Sequence, residues 1–392
     1  MIHRNITGRI KAALSDSPVV LLNGARQSGK STLVKKIASD MHPARYLTLD
    51  DAGVLAAAKH DPAEFIAGLD GNIVIDEVQR APELFLAIKA EVDRNRKPGR
   101  FLLTGSANVM LLPKLSESLA GRMEILTLWP LSQGEIEGVR EGFIDAVFGD
   151  KLPSFSKTTE NRTQTIKRIL LGGYPEVIGR ATLSRRKAWF GSYITTILQR
   201  DVRDLAHIEG LTILPRVLSL IAARAASLLN FSELSRSIGI PQTTLKRYMS
   251  LLETTFLLQP LPSWSGNFGK RLVKAPKVML NDTGLVSNLI GLYEDGMEAH
   301  QGIIGAVLEN FVAMELRKQE AWSQMQPQVF HFRTQTGQEV DIALENTAGK
   351  VVGIETKASK TVNAQDFKGL QAMAESLGRR FHRGIVLYTG SE

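Results

Sequence analysis

The chain contains no cysteine. Disulfides, zinc–thiolate centres and thiol nucleophiles are therefore excluded. No apolar run reaches the ~18 residues that a membrane-spanning helix needs, so no membrane partner is expected. The opening residues, MIHRNITGRIKAAL, place charge and Asn where a secretory leader would be apolar. They also lack a small-residue cleavage site, and a cytoplasmic location is the expectation. Acidic charge is in deficit, 40 Asp and Glu against 48 Lys and Arg, which leaves a formal net charge of +8. Aromatic residues are scarce at 6%, but apolar residues at 43% of 392 positions suffice for the cores of two or three domains.

The order of elements changes along the chain. Residues 18–23, Pro-Val-Val-Leu-Leu-Asn, are a short β-branched apolar run before a glycine loop, and predict a buried strand. A helix is expected over 30–40. Further strands are expected over 46–49, 72–76, 100–104 and 124–128, with helical patterns such as 82–95 between them. This alternation predicts a parallel sheet covered on both faces. After about residue 130 the pattern turns mainly helical as far as 228, broken by Gly172-Gly173-Tyr174-Pro175. The polar stretch 153–165 reads as a flexible connection. Three helices are expected over 212–258, then a Gly-, Pro- and Ser-rich piece over 259–276. From residue 300 a long helix precedes three strands, a helix and a strand.

Gly24-Ala25-Arg26-Gln27-Ser28-Gly29-Lys30-Ser31, followed by Thr32, fits the form G-x-x-x-x-G-K-[ST], with a strand before it and a helix after it. The two glycines let the backbone curl so that successive N–H groups point at phosphate oxygens. The helix beginning near Lys30 adds the positive end of its dipole. Lys30 would reach the β- and γ-phosphates of ATP, and the Ser31 hydroxyl would ligate Mg²⁺. The second half of such a site is an acidic residue at the end of a buried strand. Ile73-Val74-Ile75-Asp76-Glu77 supplies it. Asp76 would hold Mg²⁺, directly or through water, and Glu77 would activate the attacking water. The rival role for both is to cap the next helix. Thr104 and Ser106, at the end of the strand expected over 100–104, are candidates for contact with the γ-phosphate or the lytic water. Their rival role is to cap a turn. Arg122 would stabilise charge on the transferred phosphoryl group, in cis or in a neighbouring subunit, or else form a surface ion pair.

The set GARQSGKSTL, NIVIDEVQRAPEL, FLLTGSAN and SLAGR resembles one branch of the AAA-type ATPases. These are bacterial and archaeal ATP-binding proteins with a C-terminal domain of undefined function. GGYPEVI, YITTILQRDV and EVDIAL…GIETKAS extend the resemblance over nearly the whole chain. It implies a P-loop ATPase fold. It also implies continuation past the strand ending at Tyr388, so the last element is expected to be missing or short. Arg200-Asp201-Val202 matches the family pattern; an ion pair at a domain junction and a nucleotide contact both remain open for Arg200.

The positive charge is clustered. Residues 181–250 hold ten Lys or Arg against four Asp or Glu, and so carry most of the excess. A polyanionic partner is the expectation, DNA rather than RNA. The same stretch contains a helix-turn-helix pattern: a short helix from Phe231 to Ile238, Gly239 for a left-handed turn, Pro241, and a helix with Leu245, Met249, Leu252 and Phe256 at helical spacing. Gln242, Thr243, Thr244, Lys246 and Arg247 would face a groove and its phosphates. Trp264, Lys270 and Arg271 would form a wing. The rival reading is a winged-helix domain used only for packing.

Near the C-terminus, Asp341 and Glu355 fall on adjacent expected strands, where they would share a divalent metal. Lys357 lies two residues from Glu355 and so on the same face. Glu309, on the preceding helix, would complete a metal shell suited to Mg²⁺. This arrangement resembles the PD-(D/E)xK nuclease superfamily; the rival readings are a chance pattern of charges on exposed strands and the same fold serving only as a binding platform.

The expected fold is α/β. A parallel-sheet P-loop ATPase domain over 1–135 is followed by a helical linker over 136–205 and a mainly helical winged-helix-like region over 206–298. A small restriction-endonuclease-like α/β domain completes it over 299–392. The expected activity is ATP hydrolysis coupled to nucleic-acid binding. An ATP-gated, Mg-dependent nuclease with a role in defence and a nucleotide-switched protein-interaction module without nucleic acid are the alternatives. A homo-oligomer is in keeping with the family, without a fixed subunit number.

Overall fold

The structure is a computed structural model. It describes residues 2–108, 119–152, 161–202, 211–267, 269, 271, 274–293 and 301–390, apart from the side chains of residues 200, 201, 211 and 301. The expectations placed on Lys270, on the side chain of Arg200 and on most of the stretch 153–165 lie outside the described residues. The chain divides into two compact units. One comprises Met1–Leu131 with Thr254–Phe256, and the other Ser132–Glu253 with Leu257–Glu392. Among the described residues, no helix is long and apolar enough to cross a membrane.

The first unit is built on a parallel sheet of order β2-β3-β4-β1-β5. Its strands are β1 (Val19–Asn23), β2 (Arg45–Thr48), β3 (Ile73–Asp76), β4 (Phe101–Gly105) and β5 (Met123–Thr127). The inner strands VVLLN, IVID and FLLTG are buried along their whole length, whereas edge strands β2 and β5 are mostly half-exposed. Continuous apolar runs such as these are what a sheet covered on both faces requires. The covering helices are α1 (Thr7–Asp16), α2 (Lys30–Asp40), α3 (Ala52–His60), α4 (Pro62–Ala67) and α5 (Leu84–Arg94). Register brings Leu22 beside Thr104, Asn23 beside Gly105, Ile75 beside Leu103 and Thr48 beside Asp76. The carboxyl ends of four neighbouring strands therefore meet along one edge, where open α/β sheets place their ligands.

The second unit holds the helices Arg162–Leu171, Leu183–Thr196, Leu214–Ala222, Phe231–Ile238 and Gln242–Thr254, the short antiparallel pair β6 (Leu258–Leu261) and β7 (Lys277–Leu280), and a mixed sheet. That sheet has the order β11-β10-β9-β8, from β8 (Gln328–Arg333), β9 (Glu339–Glu345), β10 (Val351–Lys357) and β11 (Phe381–Tyr388). Only β10 and β11 run parallel, and helix Lys368–Leu377 lies between them in the chain.

The Gly172-Gly173-Tyr174-Pro175 break is a buckle. Gly172 has φ +72°, and a Cβ there would lie 2.2 Å from the Asp282 carboxylate. Gly173 N–H donates to Asp282 at 2.6 Å, while the other carboxylate oxygen caps helix Thr283–Ile290 at Leu285 N. The fully buried Tyr174 hydroxyl accepts from Asn281 at 2.8 Å and pairs with the Tyr193 hydroxyl at 2.7 Å.

The expected wing is corrected by the packing. Trp264 and Arg271 do not face outward. Trp264 is buried with Phe330, Phe332, Val340 and Leu370 of the C-terminal sheet and its helix. Arg271 stacks on Trp264 and ion-pairs with Glu345 at 2.6 Å. A large ring flanked by guanidinium groups, Arg271 and Arg380, gains more from an apolar pocket than from an exposed loop.

Candidate functional sites

The β1–α2 loop is shaped by backbone conformations that few residues tolerate. Gly24 has φ +144°, and a Cβ there would lie 2.2 Å from the Leu128 carbonyl oxygen. Gln27 and Gly29 are also left-handed, at φ 63° and 96°. Lys30 opens α2; its side chain is buried and donates to the Gly24 and Ala25 carbonyls, each at 2.9 Å. Ala25 and Ser28 are buried, Arg26 and Ser31 half-buried, and Gln27 and Thr32 exposed. The loop is braced by a residue with no sequence signal at all. Buried Arg4 donates to Ser28 O at 2.7 Å and to Trp129 O at 2.6 Å, tying the loop to the end of β5.

Asp76, at the end of β3, collects hydroxyls. Ser31 donates to it at 3.1 Å, Tyr46 at 2.6 Å, and Thr104 donates as well. Burial, with Asp76 alongside, holds the Tyr46 phenol well above its ordinary range, so it serves as a neutral donor. All these donor groups are oxygens, the set that a hard divalent ion prefers. Tyr46 was legible in principle, since β2 alternation puts Tyr46 and Thr48 on one face.

Glu77 follows at φ +61°, a left-handed turn for a side chain that pays for it sterically. Its N–H donates to Thr104 Oγ1 at 3.1 Å. Thr104 thus holds Asp76 and the backbone of Glu77 and is wholly buried. Ser106 is half-buried and donates to Glu77 at 3.2 Å. Arg122 sits elsewhere. It immediately precedes β5, its carbonyl accepts from Val19 N at 3.2 Å, and its guanidinium pairs with Asp93. The loop leaves β1 after Asn23, so the length of that strand, about 13 Å, separates the two ends of the sheet. Arg122 thus lies at the opposite end of β1 and β5 from its own chain's loop.

In the second unit Glu309, Asp341, Glu355 and Lys357 are brought within electrostatic reach of one another, but not in a placement for a metal. Among the described residues, no group of three or more His, Cys, Asp or Glu side chains is placed to hold a metal. Lys277, which the sequence reading missed, sits among three carboxylates. Its buried ammonium lies 2.5 Å from Glu309, 2.5 Å from Glu339 and 3.7 Å from Asp341. Burial alone would lower its pKa, but the three carboxylates more than reverse this and hold it protonated. Burial and the neighbouring Asp341 push Glu309 up to about 8, against the pull of Lys277. The other Asp341 oxygen accepts from Thr356 N at 2.8 Å and Thr356 Oγ1 at 2.7 Å. Lys357 pairs with Glu355 at 2.7 Å. Arg333 lies at the exposed margin, 3.9 Å from Glu339. A cation thus already occupies the middle of the acidic cluster. Calorimetric titration of Mn²⁺ should give the same heat with the wild type and with Asp341→Ala; a binding event lost in the variant would restore the metal centre.

A P-loop, an acidic strand end and a parallel sheet of this order define an ATPase of the AAA type. Comparison with known proteins agrees. Residues 16–137 match the family model described as AAA domain. Residues 162–296 and 304–392 match a Domain of unknown function (DUF8612) and a Domain of unknown function (DUF4143). The Uncharacterized protein Rv2008c of Mycobacterium tuberculosis is 32% identical over 359 residues, covering 91% of this chain and 74% of that protein. The Uncharacterized protein Mb2031c of Mycobacterium bovis matches to the same extent. The chain belongs to the family of these proteins, and its own matches make it an AAA-type ATPase with a C-terminal DUF4143 domain. Among solved structures, the Walker-type ATPase PABY2304 of Pyrococcus abyssi aligns with a TM-score of 0.46 at 14% identity, covering 74% of this chain and 96% of that one. The RuvB Holliday junction branch migration motor of Thermotoga maritima aligns with a TM-score of 0.30 at 19% identity, covering 66% and 89%. These two alignments are too loose to bear on function.

Proposed function

We propose that this ATPase binds ATP with Mg²⁺ in the β1–α2 loop and couples its nucleotide state to nucleic-acid binding, with DNA favoured over RNA. Backbone N–H groups of residues 24–31 and Lys30 would hold the phosphates, and Ser31 and Asp76 would hold Mg²⁺. The metal would neutralise charge on the β- and γ-phosphates. Glu77 would accept the proton of the attacking water. The observation that carries the hydrolytic part is the convergence of Lys30, Ser31, Asp76 and Glu77 at one sheet edge. Arg122, at the other end of the sheet from its own loop, would serve a neighbouring copy in a homo-oligomer.

Two features of the second unit support the nucleic-acid part. Helix Phe231–Ile238 ends at Gly239 with φ +79°, and helix Gln242–Thr254 then presents Gln242, Thr243, Lys246 and Arg247 on exposed positions, with Thr244 half-buried. This is the order of a helix-turn-helix, and the β6–β7 pair that follows is in keeping with a winged-helix-like region. Separately, a cavity of about 550 Å³ is lined by Lys167, Arg168, Arg186 and Lys187 together with Phe190 and Tyr293. The clustered cations suit phosphates, while Phe190 is part of the core and Lys187 already covers the Tyr293 ring. The order helix, three strands, helix, strand over residues 301–388 supports a restriction-endonuclease-like fold that serves as a binding platform, with Lys277 paired to carboxylates that a cleaving metal would need.

Lys246→Glu combined with Arg247→Glu should weaken DNA binding and reduce the slope of log K against log salt by about 2, one unit per lost phosphate contact. Fluorescence anisotropy at several salt concentrations reads both quantities. A double variant that binds like the wild type moves the contacts elsewhere; no binding by the wild type at low salt ends the nucleic-acid reading.

A further inference from the structure

Glu77 has a partner that the P-loop pattern does not mention. The chain turns left-handed at Glu77 and makes a short 3₁₀ turn over Val78–Arg80, which brings Gln79 back beside it. The Gln79 amide nitrogen donates to the Glu77 carboxylate and, at 2.8 Å, to Ser106 Oγ. Ser106 Oγ in turn donates to the same Glu77 oxygen at 3.2 Å. Glu77, Gln79 and Ser106 therefore form a closed triangle at the ends of β3 and β4.

The triangle fixes the orientation of the amide. An ionised carboxylate only accepts, so the nitrogen of Gln79 has to face Glu77. The Gln79 carbonyl oxygen is then left over. It is buried and, among the described residues, has no hydrogen-bond partner. Gly105 lies against it, where a Cβ would approach to 3.3 Å. A buried acceptor without a donor costs free energy unless something supplies the donor. Next to a general base, the donor that fits is water.

We propose that Gln79 is a water-positioning residue of the ATPase, acting beside Glu77. The inference rests on the assignment of Glu77 as the base. The attacking water donates one O–H to the Glu77 carboxylate and, once a small shift of the Gln79 side chain uncovers its carbonyl oxygen, the other to that oxygen. With both protons accepted, its lone pair is the part left facing the γ-phosphorus. The O–P bond then forms as the proton passes to Glu77. The bond from phosphorus to the bridging oxygen breaks, and its electron pair stays with ADP. Gln79 takes no proton. Its contribution is orientation, the kind of effect for which a displacement of about 1 Å costs ~10²-fold in rate.

The test compares a ground-state ligand with a mimic of the transition state. Gln79→Ala, and Gln79→Met as the variant that keeps the bulk, should lower kcat by roughly 10- to 100-fold with KM for ATP little changed. ADP affinity should stay within twofold, while affinity for ADP–aluminium fluoride, which holds the axial water, falls by a factor similar to that in kcat. Glu77→Gln/Gln79→Ala should bind the mimic more weakly than Glu77→Gln alone, because Gln79 touches the water itself. Three results would overturn the proposal: kcat within twofold of wild type in both Gln79 variants, equal losses for ADP and the mimic, or a double variant no weaker than Glu77→Gln. Wild-type turnover in Glu77→Gln is a different outcome, which removes the base and the proposal with it.

Discussion

Glu77→Gln should bind ATP as the wild type does and hydrolyse it at least ~10²-fold more slowly. The geometry isolates this residue from the binding apparatus. Its backbone is held by Thr104 and its carboxylate by Gln79 and Ser106, so none of the contacts that shape the β1–α2 loop passes through it. Gln keeps the size of the side chain and removes only its ability to take a proton, which is the quantity a general base contributes. Lys30→Ala should behave differently. Lys30 is buried at the start of α2 and reaches the carbonyls that define the loop, so the variant should lose nucleotide affinity as well as turnover. Steady-state phosphate release together with fluorescent-nucleotide titration separates the two. Equal loss of binding in both variants would show that Glu77 belongs to the binding apparatus, contrary to its assignment.

Lys277→Met should destabilise the second unit by about 3–5 kcal/mol, the cost of leaving buried charge without its partner. Glu309, Glu339 and Asp341 would face one another with no cation between them. Glu309, already pushed up to about 8, can take a proton and relieve part of the repulsion, which places the expected loss near the lower end. Urea unfolding followed by tryptophan fluorescence measures it, because Trp264 lies in the neighbouring core. Mn²⁺ should then recover part of the stability in the variant and none in the wild type. A variant as stable as the wild type would mean that the lysine is not what neutralises the cluster.

The contrast between the two units explains what the sequence could and could not reveal. β1, β3 and β4 are apolar runs of four or five residues that end in glycine or acidic punctuation, and local pattern alone finds them. The β1–α2 loop is legible because its chemistry is contiguous: Gly24 needs its conformation, Lys30 its charge and Ser31 its hydroxyl, all within eight positions. Helix Phe231–Ile238 is legible because Gly239 marks its end. β6 and β7 are four residues each, one of them containing Pro260, too short for alternation to show. Lys277 and Arg4 are invisible for another reason. Lys277 lies 32 residues from Glu309, and Arg4 lies 125 from Trp129, so only the fold brings them together. Trp264 and Arg271 misled because an aromatic residue beside a cation in a Gly-rich segment suits an exposed wing as well as a buried stack.

The most direct test of a nucleotide state coupled to nucleic acid is the Mg²⁺-dependent ATPase rate of the full chain, measured with and without single- and double-stranded DNA and RNA. The account predicts measurable phosphate release that DNA changes severalfold, with a smaller response to RNA and none in Glu77→Gln. A rate that stays the same with every nucleic acid at low salt would contradict the coupling, and the absence of any Mg²⁺-dependent hydrolysis would contradict the account at its base.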